Sequence, residues 1–154
     1  MKKTARIATL IERCQGMDYD AHYLGFFECF NQGLFYESHE VLEELWLTER
    51  KGPNDAFYKG LIQLAGAFVH LQKNRLRPAG SLFKLAKANL EKYPTLHHGL
   101  KVIGVLQMIK DWLQKLEVAD FNVNPIDFCK PPELKLHQNL GSSAPAPSAG
   151  SDRN

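Results

Sequence analysis

The sequence contains none of the short motifs that identify common nucleotide-binding and hydrolytic enzymes. It has no glycine-rich phosphate loop, no G-x-S-x-G nucleophile elbow and no internal repeat. The H-E-x-x-H motif of zinc proteases and the Glu-x-x-His pairs of di-iron bundles are missing as well. Any functional site must therefore be argued from individual side chains and their spacing.

Cysteine is scarce, and the three residues present form no recognisable pattern. Cys14, Cys29 and Cys129 are odd in number, far apart in the chain and in no C-x-x-C spacing. Neither a disulfide framework nor a zinc knuckle is indicated, so we expect reduced thiols. Because the neighbours of Cys29 are apolar, we expect it to be an inert core thiol rather than a nucleophile.

A long apolar run and a large net charge are also lacking. No segment approaches the roughly 18 apolar residues of a membrane span, and Met1-Lys2-Lys3 is not followed by an apolar leader. The 19 basic and 17 acidic side chains give a formal net charge of +2, which provides no general attraction to nucleic acid. We therefore expect a cytoplasmic protein that does not associate with membranes.

What the sequence does contain is apolar side chains at helical spacing. The predicted fold class is all-α, a single-domain antiparallel bundle of about five helices with an extended C-terminal strap. The predicted helices span 19–32, 35–50, 56–73, 77–93 and about 96 or 99 to 118. The predicted organisation is an N-terminal segment or short docking helix at 1–17, the helical bundle at 18–120, the strap at 121–140 and a disordered tail at 141–154.

The predicted second helix carries the densest group of polar side chains. Its buried stripe is predicted to contain Phe35, Leu42 and Trp46. His39 falls in the middle of this stripe, and Glu43, four residues on, can hydrogen-bond it from the same face. The remaining acids are expected on the other side, as a solvated face or a contact for a basic groove of a partner: Glu37, Glu40 and Glu44.

The predicted third helix is apolar nearly all round and is expected at the centre of the bundle. Its polar exceptions, Gln63 and His70, are seven residues apart and therefore share a face, with Gly66 between them. A glycine there costs about 1 kcal/mol relative to alanine but lets another group approach closely. We expect this face to meet His39 and Glu43.

Two stretches of this sequence closely resemble a bacterial and archaeal family known only as domain of unknown function 309. They run from Phe30 to Trp46 (FNQGLFYESHEVLEELW) and from Phe57 to Ala65 (FYKGLIQLA), followed by His70. The resemblance covers roughly residues 22 to 93. It implies an all-helical bundle whose signature positions are the histidine and acids of the first stretch and the glutamine and histidine of the second. It implies no activity. The family often has glycine before the asparagine of the next turn, where this chain has Lys73.

Two classes of function fit these observations. The candidate polar cluster comprises His39, Glu43, Gln63 and His70, with Tyr36, Glu37, Glu40 and Trp46 as secondary candidates. We favour a non-enzymatic domain that binds a protein partner or self-associates, in which the cluster is a buried hydrogen-bond network. The alternative is a metal-dependent hydrolase or small-ligand site built on His39, Glu43, Gln63 and His70, in which the two histidines and Glu43 bind a divalent metal and Glu40 is an outer ligand or base. No cofactor is assumed, and whether the protein is an enzyme is left open.

Two further groups of side chains are weaker candidates for a ligand site. A basic series could attract nucleic acid, but no aromatic residues are interleaved with it as in a stacking platform: Lys73, Arg75, Arg77, Lys84 and Lys87. We therefore consider nucleic acid an unlikely partner. His97 and His98 are adjacent, which is a poor arrangement for binding one metal ion, and are expected in a loop or at a helix start.

Overall fold

A computed structural model describes residues 8–9, 11–12 and 19–137, and helices form most of its regular structure. In chain order the elements within 19–137 are α1 (Ala21–Asn31), α2 (Phe35–Thr48), α3 (Asp55–Gln72), α4 (Leu76–Leu90), β1 (Leu96–His97), β2 (Leu100–Lys101), α5 (Val102–Val118) and a short 3-10 helix (Pro125–Asp127). The predicted all-α fold class is confirmed. None of the helices in the described part of the chain combines the length and apolar character that crossing a membrane requires.

Phe68 of α3 lies fully buried at the centre of the core. Its ring packs against one ring from each of the other four helices, with centroids 5.0 to 5.7 Å apart: Phe30 of α1, Phe35 of α2, Phe83 of α4 and Trp112 of α5. Phe35 stacks on it and the other three meet it edge-on, which are the arrangements that aromatic quadrupoles favour. The expectation that the third helix occupies the centre is confirmed.

The link between α1 and α2 is fixed by the backbone at Gly33. Its φ of 77° lies in the left-handed region, which glycine adopts without strain. The Gly33 N–H donates to the Phe30 carbonyl and the Leu34 N–H donates to the Cys29 carbonyl, as in a Schellman motif. The α3–α4 turn repeats this motif with Asn74, whose φ is 58°. Both links are short, so the helices they join are antiparallel neighbours.

The loop between α2 and α3 is held by the Asp55 side chain. One carboxylate oxygen accepts from the Trp46 indole N–H and the other accepts from the Lys51 backbone N–H, both at 2.7 Å. The Arg50 guanidinium lies 4.4 Å from the centroid of the Trp46 ring. Trp46 is therefore partly buried at the edge of the core, where its polar N–H can reach a partner.

The fifth helix begins at Val102 because residues before it form a β-hairpin that the sequence pattern did not predict. His98 and Gly99 have φ values of 51° and 74°, as in the type I′ turn that suits two-residue hairpin loops. A Cβ at Gly99 would lie only 2.7 Å from the Tyr19 hydroxyl oxygen. The turn thus requires glycine both for its backbone conformation and for this close approach.

The fourth helix ends at Leu90, three residues earlier than predicted. Tyr93 leaves the helical path because its hydroxyl forms two hydrogen bonds with the start of α3. It donates to the Pro53 carbonyl and accepts from the Phe57 backbone N–H, both at 2.9 Å. The loop before α3 is therefore tied to the segment that follows α4.

Two asparagines anchor the segment that follows α5. Asn124 is buried, and its amide nitrogen donates to the Leu71 carbonyl at 2.6 Å. The Asn31 side chain pairs with the backbone of Leu134 through two hydrogen bonds of 2.7 and 2.8 Å. Further on, Leu136 forms an antiparallel bridge with Leu100 of the hairpin. The segment crosses the bundle surface, and a short 3-10 helix interrupts its extended course.

The predicted boundaries at 1–17, 18–120 and 121–140 stay predictions. Of the N-terminal segment, residues 8–9 and 11–12 are described; they are helical, and Ile11 packs partly buried against the core. The strap is described up to residue 137, and the tail at 141–154 lies outside the described residues.

We expect replacement of Asn124 by alanine to lower the free energy of unfolding by about 1–3 kcal/mol, because the buried Leu71 carbonyl would lose its side-chain partner. Urea denaturation measures the change. Asn122→Ala is the matched control, since Asn122 is exposed two residues away and its loss should cost less than about 0.5 kcal/mol. Equal effects of the two substitutions would show that Asn124 does not anchor the strap.

Candidate functional site

The face that α2 turns to the core differs from the predicted one by a rotation of the helix. The side chains it buries are those of Phe35, Ser38, Val41, Leu42 and Leu45. Ser38 can be buried because its hydroxyl donates to the Phe35 carbonyl at 2.9 Å. His39 consequently lies at the edge of the core rather than in the middle of the stripe, with 28% of its side chain exposed.

At this edge, His39, Glu40 and Glu43 form a cluster of ligand-type atoms. One nitrogen of His39 and one oxygen from each carboxylate all lie within 4.8 Å of one another. His39 Nδ1 lies 3.4 Å from Glu40 Oε2. All three side chains are partly buried, so the cluster is open to solvent on one side. We call these three residues the α2 cluster.

His39 Nδ1 is buried and has no hydrogen-bond partner. Its contact with Glu40 is an ion pair only when the imidazole is protonated, and it does not meet the geometry of a hydrogen bond. A buried nitrogen in this condition costs about 1–3 kcal/mol relative to one that is satisfied. His39 Nδ1, in the α2 cluster, therefore still has one hydrogen-bonding or ligand position to fill.

The expectation that Glu40 points away from His39 does not hold. Glu40 is about 100° from His39 around the helix, but its flexible side chain is long enough to reach the neighbouring imidazole. Glu43 lies about 40° from His39, as the spacing of four residues predicts. The α2 cluster thus contains one of the acids that were expected on the solvated face.

Gln63, one of the predicted partners on α3, contacts a different helix. Gln63 accepts a hydrogen bond of 2.7 Å from the Asn89 amide of α4, and a Cβ at Gly66 would lie 3.1 Å from a methyl carbon of Leu82. Close approach at Gly66 therefore serves α3–α4 packing. Within the described residues, His70 does not belong to the group of histidine and carboxylate atoms around His39.

His70 lies at the C-terminal end of α3, and its Nδ1 is likewise buried without a hydrogen-bond partner. Burial lowers the pKa of His70, and the nearby positive charges of Arg75 and Lys73 lower it further. A neutral imidazole is therefore favoured at this position. Of the predicted set of His39, Glu43 and His70, the structure brings His39 and Glu43 together with Glu40 and does not group His70 with them.

Two of the secondary candidates, Tyr36 and Glu37, and the acid Glu44 lie on α2 outside the α2 cluster. Tyr36 is 46% exposed, and its ring lies 5.8 Å from the His39 ring. Glu37 is in the first turn of α2, where a negative charge is favourable near the helix N-terminus. Glu44 is exposed, and its Oε1 lies at hydrogen-bond distance, 3.0 Å, from Nε2 of His22 in α1. Glu44 thus belongs to the surface between α1 and α2.

A second polar group, which the sequence did not reveal, lies at the hairpin. Asn54 stands between two imidazoles, with its Oδ1 2.7 Å from His97 Nε2 and its Nδ2 3.3 Å from His98 Nε2. The two rings stack with centroids 5.0 Å apart, and the Phe57 ring meets the His97 ring edge-on. The Tyr23 hydroxyl donates to the His98 carbonyl. Only tertiary contacts bring these residues together, so periodicity could not have indicated them.

The amide of Asn54 constrains the protonation of this group. An amide offers a donor on one side and an acceptor on the other, so one of the two Nε2 atoms must accept and that ring must be neutral. Burial lowers the pKa of His97, helped by His98, and burial also lowers the pKa of His98 despite the opposing charge of Glu49. Nearby, burial raises the pKa of Tyr58 to about 12. The group is suited to stay uncharged and to hold the hairpin.

Comparison with known proteins agrees with the resemblance found in the sequence. Residues 23–82 match the profile of a family described as a domain of unknown function, DUF309. The match begins within α1, contains α2 and α3 and ends within α4, so it includes the α2 cluster and excludes the hairpin, α5 and the strap. The resemblance was expected over residues 22 to 93.

One relative is an uncharacterized protein from Aquifex aeolicus (strain VF5), which is 25% identical over 128 residues. The aligned region covers 82% of this chain and 35% of that protein, so the chain spans about a third of the length of this relative. No solved structure matches.

We expect His98→Asn to reduce the dependence of stability on pH. The folded-state pKa values of His97 and His98 lie below the unfolded value of about 6.5, so their contribution to stability is complete above that value and is lost as the pH falls below it. Asparagine tolerates the positive φ of residue 98 but does not titrate. Urea unfolding at pH 7 and pH 5 should show a smaller loss in the variant. Equal losses in both proteins would contradict the role of His98.

Proposed function

We propose that the α2 cluster binds a divalent metal ion through His39, Glu40 and Glu43. The observation that carries this proposal is a His39 ring nitrogen within 4.8 Å of an oxygen from each of two carboxylates, on a ring whose buried Nδ1 has no hydrogen-bond partner. Ligands about 2 Å from one ion lie within about 4 Å of each other, so the side chains need only a small adjustment. Binding would satisfy the imidazole and neutralise two neighbouring acids at once.

The chemistry of the donor set favours zinc, manganese or iron(II). A single imidazole nitrogen with two carboxylate oxygens suits these ions better than magnesium or calcium, which prefer oxygen alone, and no thiolate is included. Three protein ligands leave coordination positions for water on the exposed side. Water held there would have a lowered pKa, which is the property on which the metal-dependent hydrolase alternative rests.

Partner binding, the function favoured from the sequence, has its support in another part of the molecule. Val118 and Phe128 are both 78% exposed, and they belong to an apolar surface formed by α5 and the strap. Exposed apolar patches of this kind mark interaction sites. The two functions are compatible, because the α2 cluster and this surface lie on different elements.

We expect the full-length protein, made without a polyhistidine tag, to bind one equivalent of zinc, manganese or iron(II). At free metal 100-fold above Kd, binding should stabilise the fold by about 2.7 kcal/mol, seen as a rise in melting temperature. His39→Ala and Glu43→Gln should abolish both the heat of binding in calorimetry and the rise in melting temperature. Glu44→Gln, on the same helix but outside the cluster, is the matched control and should leave both unchanged.

Several outcomes separate the alternatives. Failure of all three metals to bind stoichiometrically would refute the metal site, and loss of binding in the Glu44 variant would refute its assignment to the α2 cluster. Turnover of activated phosphate or carboxylate esters that needs added metal and disappears in Glu43→Gln would favour the hydrolase. Metal binding without turnover would favour a site that stabilises α2.

A further inference from the structure

A groove runs between the C-terminal half of α5 and the strap, with a volume of about 410 Å³. Its apolar lining comes from both elements and includes Val118, Val123, Pro125 and Phe128. Asp111 and Lys115 of α5 also line it. The groove lies outside the residues that match the family profile, and it shares no residue with the α2 cluster.

The exposure of this surface contrasts with the buried face of α5. Trp112 and Leu116 are 5% and 0% exposed, whereas Val118 and Phe128 are each 78% exposed and Val123 is 44% exposed. Single exposed apolar residues are ordinary, but here three of them line one concave surface. A partner that covered them would remove this apolar area from water.

The groove carries one acidic and one basic side chain, so its charges are complementary to those of an identical groove on a second copy. Asp111 and Lys115 are one helical turn apart, yet no ion pair among the described residues joins them. Asp111 instead accepts from Gln107 at 3.2 Å, and the Lys115 ammonium lies 6.0 Å from the Trp112 ring. If two α5 helices crossed antiparallel about a twofold axis, Asp111 of each copy would face Lys115 of the other.

We propose that this groove is a self-association surface, occupied by the same surface of a second copy of the chain. Phe128 and Val118 supply the apolar centre, and the two symmetry-related pairs of Asp111 and Lys115 fix the orientation. This inference deepens the partner-binding function proposed above by naming the partner. It is independent of the metal site.

We expect sedimentation velocity of the full-length protein to show a concentration-dependent dimer between about 1 μM and 1 mM. Phe128→Ser should raise the dissociation constant at least about 100-fold, because two buried phenyl groups are lost per dimer. Leu47→Ser is the matched control, since Leu47 is 58% exposed on α2 and lies outside the groove. It should leave the dissociation constant unchanged.

Charge reversal tests the predicted orientation. Asp111→Lys and Lys115→Asp should each raise the dissociation constant roughly 3- to 10-fold, because each places like charges in contact twice. The double variant restores complementarity across the twofold axis and should return the dissociation constant close to that of the wild type. If the dissociation constant of the double variant instead rose by the product of the two single increases, this pairing would be refuted.

Two outcomes distinguish failure of this inference from failure of self-association. A wild-type chain that stays monomeric throughout the concentration range refutes both, whereas a dimer that survives Phe128→Ser refutes only the groove as its interface.

Carbodiimide coupling of mixed ¹⁴N- and ¹⁵N-labelled chains should join Asp111 of one chain to Lys115 of another. Coupling of Lys115 to Asp152 within one chain would instead make the C-terminal segment the occupant and overturn the proposal.

Discussion

The packing of rings around Phe68 is the interaction on which the rest of the structure depends. Because this one side chain touches an aromatic ring from each of the other four helices, it fixes their relative positions at a single point. Large-to-small substitutions of buried aromatic residues typically cost about 3–5 kcal/mol, which is a large fraction of the stability of a domain. The partly exposed α2 cluster can therefore carry an unsatisfied imidazole without endangering the fold.

Residues of the motif that contains His39, Glu43 and Trp46 have two separate roles. Trp46 donates to Asp55 and so fixes the end of α2 against the start of α3, a structural contact that needs an indole N–H at this position. His39 lies two turns earlier and Glu43 one turn earlier, at the edge of the core, and they join Glu40 in the α2 cluster. Their chemistry, rather than their contribution to the core, is what distinguishes them.

The helices could be predicted from the sequence because apolar spacing, glycine and proline are local signals. The hairpin at 96–101 could not, since its two-residue strands are held by Asn54, Tyr23 and Tyr19 from distant parts of the chain. At the candidate site, the i,i+4 relation predicted the pairing of His39 with Glu43. Glu40 was misplaced because a helical projection shows where Cβ points but ignores how far a side chain reaches. Gln63 was assigned to the wrong neighbouring helix. The spacing along α3 shows which residues share a face, but it does not show which helix that face contacts.

The two proposed functions depend on different parts of the chain. The α2 cluster lies inside the 23–82 match to the family profile, so a cation site there would be open to any chain that shares these motifs. The groove is built from residues 111–129, beyond the end of that match. Its walls depend on α5 and on the strap that Asn124 anchors. The proposed self-association is thus independent of the family match, because the segments that build the groove lie outside residues 23–82.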